Sequence, residues 1–276
     1  TSWYDIGPFS LQPSEFAKIA VVLFLTFVIN KIQKRGKGEI NRFLKLGLIL
    51  LTLAVPLLLI IKQPDYGTAL AFIFALIFML FVAGIDKKYI ITAILLVVIL
   101  VPIAYFFILP DHAKARIDVF LNPDLDPRGA GYNIIQSKLA IGAGQLFGMG
   151  LFKGNQTQLG FLYPKTTDFI FAVIGEELGF IVAALVIILY VILISKMIYV
   201  AKTAKDDEGS YIVAGITGIF FFHELQNIGM TMGLLPITGV PLPFVSYGGS
   251  SLLTNLILIA IVLNVSGRRQ KTLFIE

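Results

Sequence analysis

Phe161-Leu-Tyr-Pro-Lys-Thr-Thr-Asp-Phe-Ile-Phe-Ala-Val-Ile-Gly-Glu-Glu177 is where a long polar excursion ends and an apolar helix begins. The excursion starts near Pro110 and carries charge, glycine and asparagine, whereas most of the chain around it is apolar. It closes on one carboxylate, Asp168, at the mouth of the helix. A polar segment of this length between hydrophobic spans gives a membrane protein somewhere to do chemistry on one side of the bilayer.

Hydrophobic residues make up 57% of the chain and charged residues 14%, against about 45–50% and about 25% in soluble domains. The mean hydropathy is +0.87. The excess is gathered in blocks of about 17–25 residues, the length a helix needs to cross about 30 Å of hydrocarbon. The sequence therefore reads as all-α, a polytopic helical membrane protein; a water-soluble helical core is the competing reading. The formal charge of +5 does not point to nucleic acid, because the basic residues sit in short connections between blocks. With no cysteine, redox compartment is unreadable. The chain opens on Thr1 with nothing shaped like a signal peptide, so the expectation is a fragment lacking upstream helices.

Seven spans are expected, at about 14–30, 43–61, 68–85, 89–109, 169–200, 211–235 and 250–266, in one integral membrane domain over residues 1–276. Ser14 suits the N-cap of the first, and Glu15 suits the positive end of its dipole. The fifth is longer than a bilayer requires and must tilt, project or break near Gly175 and Gly179. Lysine and arginine in short loops set orientation. They fill the connections at Lys31–Arg42, at Lys87 and Lys88, at Lys196, Lys202 and Lys205, and the tail at Arg268, Arg269 and Lys271. The opposite parity, which includes the loop 110–168, is then extracytoplasmic. That loop has six basic residues of its own, but long loops translocate largely regardless of charge.

Within the loop, Tyr132-Asn-Ile-Ile-Gln-Ser-Lys-Leu-Ala-Ile141 has helical spacing but is too polar to span; it reads as an amphipathic helix on the outer surface or folded back into the protein. The run Gly142-Ala-Gly-Gln-Leu-Phe-Gly-Met-Gly150 lacks the strand that a dinucleotide fingerprint requires. It reads as close packing or turns.

Ionisable groups in spans are costly, about 2.5–3.5 kcal/mol each at a helix centre on insertion scales. Those within or beside the spans are Glu15, Lys18, Lys62, Asp65, Asp168, Glu176, Glu177, His223 and Glu224, most of them near outer ends. Glu15 and Lys18 share a helix face, either as a local ion pair or with the lysine turned into a polar cavity. Asp65, in Gln-Pro-Asp-Tyr-Gly, suits a turn or a cap. Asp168 suits a helix cap equally well, or a partly desolvated general base. Glu176 and Glu177 lie too far along to share an atom with Asp168, and interhelical hydrogen bonding is their expected role. His223, Glu224, Gln226 and Asn227 form a mid-span polar cluster, either helix–helix glue or a proton or ion path. A metal site has little support from two histidines, His112 and His223, far apart in sequence.

Five motifs together are similar to one family. They are Leu11-Gln-Pro-Ser-Glu-Phe-Ala-Lys18, Pro64-Asp-Tyr-Gly67, Asp126-Pro-Arg-Gly-Ala-Gly-Tyr132, Thr167-Asp-Phe-Ile-Phe-Ala172 with Gly175-Glu-Glu-Leu-Gly179, and Pro243-Phe-Val-Ser-Tyr-Gly-Gly-Ser-Ser251. In this order, across essentially the whole chain, they resemble the SEDS family of bacterial envelope proteins. Gly150-Leu-Phe-Lys-Gly-Asn-Gln-Thr-Gln-Leu159 looks more like the elongation branch than the division branch. One departure is that the family commonly has Leu-Pro-x-x-x-Thr-Asp, whereas Tyr163 here precedes Pro164.

The resemblance implies a ten-helix glycosyltransferase of the bacterial cytoplasmic membrane, of which this chain holds the last seven helices. It would polymerise lipid II into peptidoglycan glycan strands at the outer face during cell elongation, inverting the configuration. It implies Asp168 as the essential acid and places Glu15, Lys18 and Asp65 in the same cavity. Lys18, Arg128, Lys138 and Lys153 are candidates to meet the pyrophosphate, with room for a divalent cation (Mg or Mn), and Ser246 joins the substrate-binding set. The implied partners are lipid II, membrane lipids and a class B penicillin-binding protein that supplies transpeptidation. A lipid II flippase is the alternative, for which the His223–Asn227 cluster is the one hint. A scaffold without enzymatic function would need no charges in a cavity.

Overall fold

The computed structural model describes residues 4–6, 9–34, 36, 38–107, 109–126 and 129–268. Arg128, one of the expected pyrophosphate ligands, and Arg35, Lys37, Arg269 and Lys271 of the basic connections lie outside the described residues. The chain is a polytopic helical membrane protein. Its long helices are α1 (Pro13–Gln33), α2 (Phe43–Ile61), α3 (Tyr66–Val82), α4 (Lys87–Phe107), α8 (Ile170–Lys202), α9 (Asp207–Thr231) and α10 (Gly249–Gly267). Each falls on one of the seven expected stretches. Four of them, α2, α4, α8 and α10, are long and apolar enough to cross a membrane by length and composition alone. The helix α3 is shorter, and α1 and α9 carry buried charged residues.

A small antiparallel hairpin, β1 (Tyr4–Ile6) with β2 (Phe9–Leu11), precedes α1 and pairs Tyr4 with Leu11. The loop 110–168 is largely helical, with α5 (Asp111–Leu121), α6 (Ala130–Ala143) and the single turn α7 (Asn155–Gln158). The amphipathic helix expected at 132–141 is α6, whereas the hairpin and the short helices α5 and α7 had no counterpart in the sequence reading.

Contacts sort the chain into two compact units. The first holds the chain up to Ile85, Tyr190–His223 and the part from Gly248; the second holds Asp86–Leu189 and Glu224–Tyr247. The helices α8 and α9 therefore each contribute to both. In the first unit, Val21, Leu25, Ile29 and Ile32 of α1 are buried at helical spacing, while Leu23, Phe24 and Phe27 on its other side are exposed. Side chains exposed in this way face hydrocarbon in a bilayer. Small residues bring α9 against α3: a Cβ on Gly218 would lie 2.5 Å from the carbonyl oxygen of Phe74, so only glycine permits the approach.

The second unit is organised by a break in α8. Gly179 has φ +78° and ψ −179°, a backbone that residues with a Cβ rarely adopt. The break frees peptide groups that hydrocarbon cannot satisfy. The glycine-rich run supplies them instead. Met149 N–H donates to the Glu176 carbonyl (2.9 Å) and Gly150 N–H to the Glu177 carbonyl (2.9 Å), while Phe180 N–H donates to Gln145 O (2.8 Å) and Ile181 N–H to Leu146 O (3.2 Å). The approach has no slack, since a Cβ on Gly144 would stand 1.8 Å from the Gly175 carbonyl oxygen. Close packing is thus the role of the 142–150 run.

Gly144→Ala is expected to cost about 1–3 kcal/mol, the range for overpacking a well-packed site. A lowered thermal unfolding midpoint in detergent checks this; an unchanged midpoint would show that the loop has room to yield.

Candidate active site

Asp168 sits on a short strap, Pro164–Phe169, that enters α8. The Phe169 side chain anchors the strap by burial (1% exposed) among Ala140, Leu162 and Ala172. On the other side, three successive carbonyls are gripped. Tyr247 N–H donates to Thr166 O (2.9 Å), the Ser246 hydroxyl to Thr167 O (2.7 Å) and Asn227 Nδ2 to Asp168 O (3.0 Å). Asn227 also donates to Val240 O (2.7 Å), and Ser246 Oγ accepts from Leu242 N–H (2.7 Å). The strap is therefore held by the α9 side chain Asn227 and by the connection from α9 to α10.

The Asp168 carboxylate is partly exposed. Burial raises its pKa above the ordinary carboxylate value, and a hydrogen bond involving Thr167 offsets part of that. No backbone N–H of α8 bonds to it among the described residues, so it does not act as the helix cap that local sequence allowed. Its Oδ2 faces Gly239, where an added Cβ would lie 3.4 Å away. A side chain at 239 would fill the space beside the carboxylate.

Glu176 and Glu177 make the expected interhelical hydrogen bonds, and their partner is the single turn α7. The Glu176 carboxylate accepts from the backbone N–H groups of Gln156 (2.7 Å) and Thr157 (3.0 Å) at the start of α7. Glu177 accepts from Phe152 N–H (3.0 Å), Thr157 Oγ1 (3.2 Å) and Gln158 Nε2 (2.8 Å). Lys165 Nζ, two residues before Thr167, donates to Thr157 O (2.7 Å). Together they fasten the segment 150–158, which carries the exposed Lys153. Lys138, also exposed, lies across Gly233 at the end of α9, where a Cβ would stand 2.1 Å from its Cε.

A second polar cluster belongs to the other unit. Lys18 is 0% and Glu15 3% exposed, and Lys18 Nζ lies 2.8 Å from Glu15 Oε2 and 3.3 Å from His223 Nε2. The Lys18 charge is met inside the protein by Glu15 and His223. Asp65 caps α3, accepting from Thr68 N–H (3.0 Å) and Thr68 Oγ1 (2.8 Å), and it also accepts from the Ser14 hydroxyl (3.2 Å). Ser246, expected to touch substrate, is engaged on both sides by the backbone contacts above.

Among the described residues, no three or more His, Asp or Glu side chains gather where they could hold a metal ion. Sequence reasoning missed the roles of Asn227 and His223, which it grouped as one mid-span cluster. Asn227 serves the strap and His223 serves Lys18.

These features define a multi-pass membrane protein with a single clamped carboxylate at the mouth of a broken helix. The chain belongs to the cell cycle protein family of FtsW, RodA and SpoVE, whose profile matches residues 1–271. It is 41% identical over 268 residues to the peptidoglycan glycosyltransferase MrdB of Escherichia coli K12, covering 97% of this chain and 71% of that protein. It is likewise 41% identical over 264 residues to a probable peptidoglycan glycosyltransferase FtsW of Trichlorobacter lovleyi, covering 96% and 68%. Among solved structures it is similar, with a TM-score of 0.78 and 27% identity over 98% of this chain and 74% of the other, to a chain from a peptidoglycan synthase complex that coordinates polymerization and crosslinking.

Removing one partner of a buried ion pair costs about 3–5 kcal/mol. Lys18→Met is expected to lose about that much, and adding Glu15→Gln to recover most of it. Thermal unfolding of the single and double variants decides: equal midpoints for the Lys18→Met single variant and wild type would show that the pair contributes nothing.

Proposed function

We propose that this chain is a peptidoglycan glycosyltransferase that polymerises lipid II at the outer face of the bacterial cytoplasmic membrane, with Asp168 as its general base. Enzyme class follows from family membership and from relatives named for that activity. The observation that carries the residue assignment is a partly exposed carboxylate, its pKa raised by burial, on a strap whose three carbonyls each accept a hydrogen bond.

In this mechanism the 4-hydroxyl oxygen of an acceptor sugar attacks the anomeric carbon of a lipid-linked donor. Asp168 takes the hydroxyl proton. The new glycosidic C–O bond forms as the C–O bond to undecaprenyl pyrophosphate breaks, and the leaving group departs with the electron pair. Attack opposite the leaving group inverts the configuration. Lys138 and Lys153, exposed in the same unit as Asp168, and Arg128 supply positive charge toward the developing pyrophosphate. Glu15, Lys18 and Asp65 act as supports for α1 and α3 rather than as direct ligands. The partner is a class B penicillin-binding protein. The elongation branch is favoured by residues 150–159, although relatives from both branches reach 41% identity.

The flippase alternative leaned on the His223–Asn227 cluster. Three of its four members are engaged in fixed contacts: His223 with Lys18, Gln226 with Pro236 O, and Asn227 with two carbonyls.

Asp168→Asn keeps the shape and removes the base. With the full-length protein and its penicillin-binding partner, glycan polymerisation is expected to fall by about 10²–10⁴-fold, the usual share of general base catalysis. Undiminished polymerisation by a folded variant would exclude Asp168 as the base, and lipid II flipping in vesicles without polymerisation would favour the transporter.

The pH dependence follows from the sign of the shift. A base must be ionised, and burial favours its neutral form, so activity is lost on acidification at a higher pH than for an ordinary carboxylate of pKa 3.8. Below that limb the rate should fall about tenfold per pH unit. A flat profile down to pH 4 would contradict the assignment.

A further inference from the structure

We propose that Asn227 and Ser246 are positioning residues for glycan transfer, forming with the Tyr247 backbone a three-point clamp that fixes the direction of the Asp168 side chain. The inference rests on the reading of Asp168 as the base and adds the groups that aim it.

Asp168 lies outside regular helix, because α8 begins at Ile170. Its backbone direction is therefore set from elsewhere. The carbonyls of residues 166, 167 and 168 each accept a hydrogen bond from a different donor, at 2.9, 2.7 and 3.0 Å. Fixing three consecutive peptide planes fixes the Cα–Cβ bond of Asp168, and with it where the carboxylate can reach.

Asn227 has the most demanding place in this clamp. It is 0% exposed, and Nδ2 has one hydrogen for Asp168 O and one for Val240 O. Its Oδ1 is buried without a hydrogen-bond partner, which is unfavourable. A flipped amide would turn that oxygen onto two carbonyls. The two acceptors therefore dictate the orientation, and the side chain ties strap, α9 and the α9–α10 connection at one nitrogen. Ser246 links the same connection to the strap through a hydroxyl that both accepts from Leu242 and donates to Thr167. This geometry gives each residue a task that its sequence motif does not: neither side chain's donor hydrogen is left for a substrate.

Displacing a catalytic group by about 1 Å can cost as much as about 10²-fold in rate. The test is lipid II polymerisation by the full-length protein with its partner, comparing wild type, Asn227→Ala, Asn227→Asp, Ser246→Ala, Ser246→Thr and Asp168→Asn. Asn227→Asp is near-isosteric and sets an acceptor against two carbonyls. Expected are a fall in kcat of tenfold or more in Asn227→Ala and Asn227→Asp, with KM for lipid II unchanged. A smaller fall is expected in Ser246→Ala, with recovery in Ser246→Thr, which keeps the hydroxyl. The acid limb of the pH profile should move toward the ordinary carboxylate range in the impaired variants, as the loosened Asp168 reaches water.

A folded Asn227→Ala with wild-type kcat, beside an inactive Asp168→Asn, overturns the clamp and leaves the base assignment standing. A raised KM with unchanged kcat in Ser246→Ala also overturns it and returns Ser246 to substrate contact. Full activity in Asp168→Asn removes the base assignment and the clamp together. If the Asn227 variants do not fold, the Ser246→Ala and Ser246→Thr pair decides alone.

Discussion

A bilayer core offers no hydrogen-bond partner to a peptide group, and the second unit is built around meeting that constraint where α8 breaks. Gly179 ends one run of helical peptide bonds and starts another, and the groups it frees would each cost several kcal/mol in hydrocarbon. The run 142–150 lies along the break and pairs with it, which is why its glycines are spaced as they are: Gly144 and Gly148 meet the α8 backbone where a Cβ would collide. Once that loop is seated, the carboxylates of Glu176 and Glu177 are near enough to the next segment to take up its N–H groups. The first part of α8 is thereby fixed in place, and the strap bearing Asp168 leads directly into it.

The two units use polar residues in opposite ways. In the first, opposite charges are buried together, and Lys18 is held by Glu15 and His223 with no surface left exposed. Such a cluster specifies how α1 and α9 face each other. In the second, neutral donors hold the backbone carbonyls of the strap, and Asp168 on that strap keeps part of its surface open. A reactive carboxylate is better aimed by neutral hydrogen bonds than by a cation, because a nearby positive charge would lower its pKa and weaken it as a base.

Much of this could be read from sequence. The seven long helices follow from apolar block length, and a span too long for a bilayer had to tilt, project or break near Gly175 and Gly179, of which the structure shows the break at Gly179. The packing role of the 142–150 run followed from the lack of a strand before it. What stayed hidden was pairing at long range. Lys18 and His223 are separated by 205 positions, and Asn227 and Asp168 by 59, and no local pattern joins them. Asn227 was visible only as a polar residue one turn from His223, yet the two face different partners. The helix α5 escaped because Asp-His-Ala-Lys-Ala-Arg at its start reads as solvated loop. Asp168 stood out in the sequence, but its local pattern could not separate a cap from a base. Among the described residues no α8 backbone N–H bonds to its carboxylate, and no local pattern foretells that.

The order in which the strap meets its holders has a bearing on biosynthesis. A ribosome delivers residues 164–169 well before Asn227, Ser246 and Tyr247, so during translation the carbonyls of the strap have no donors. The packing beneath it, from Ala140, Leu162 and Ala172, comes from residues already made or immediately following. A nascent chain can thus assemble the packing beneath the strap early, while the grips on its carbonyls form only after α9 and its following connection have been made. An incompletely synthesised chain would hold the strap without the three donors that grip its carbonyls.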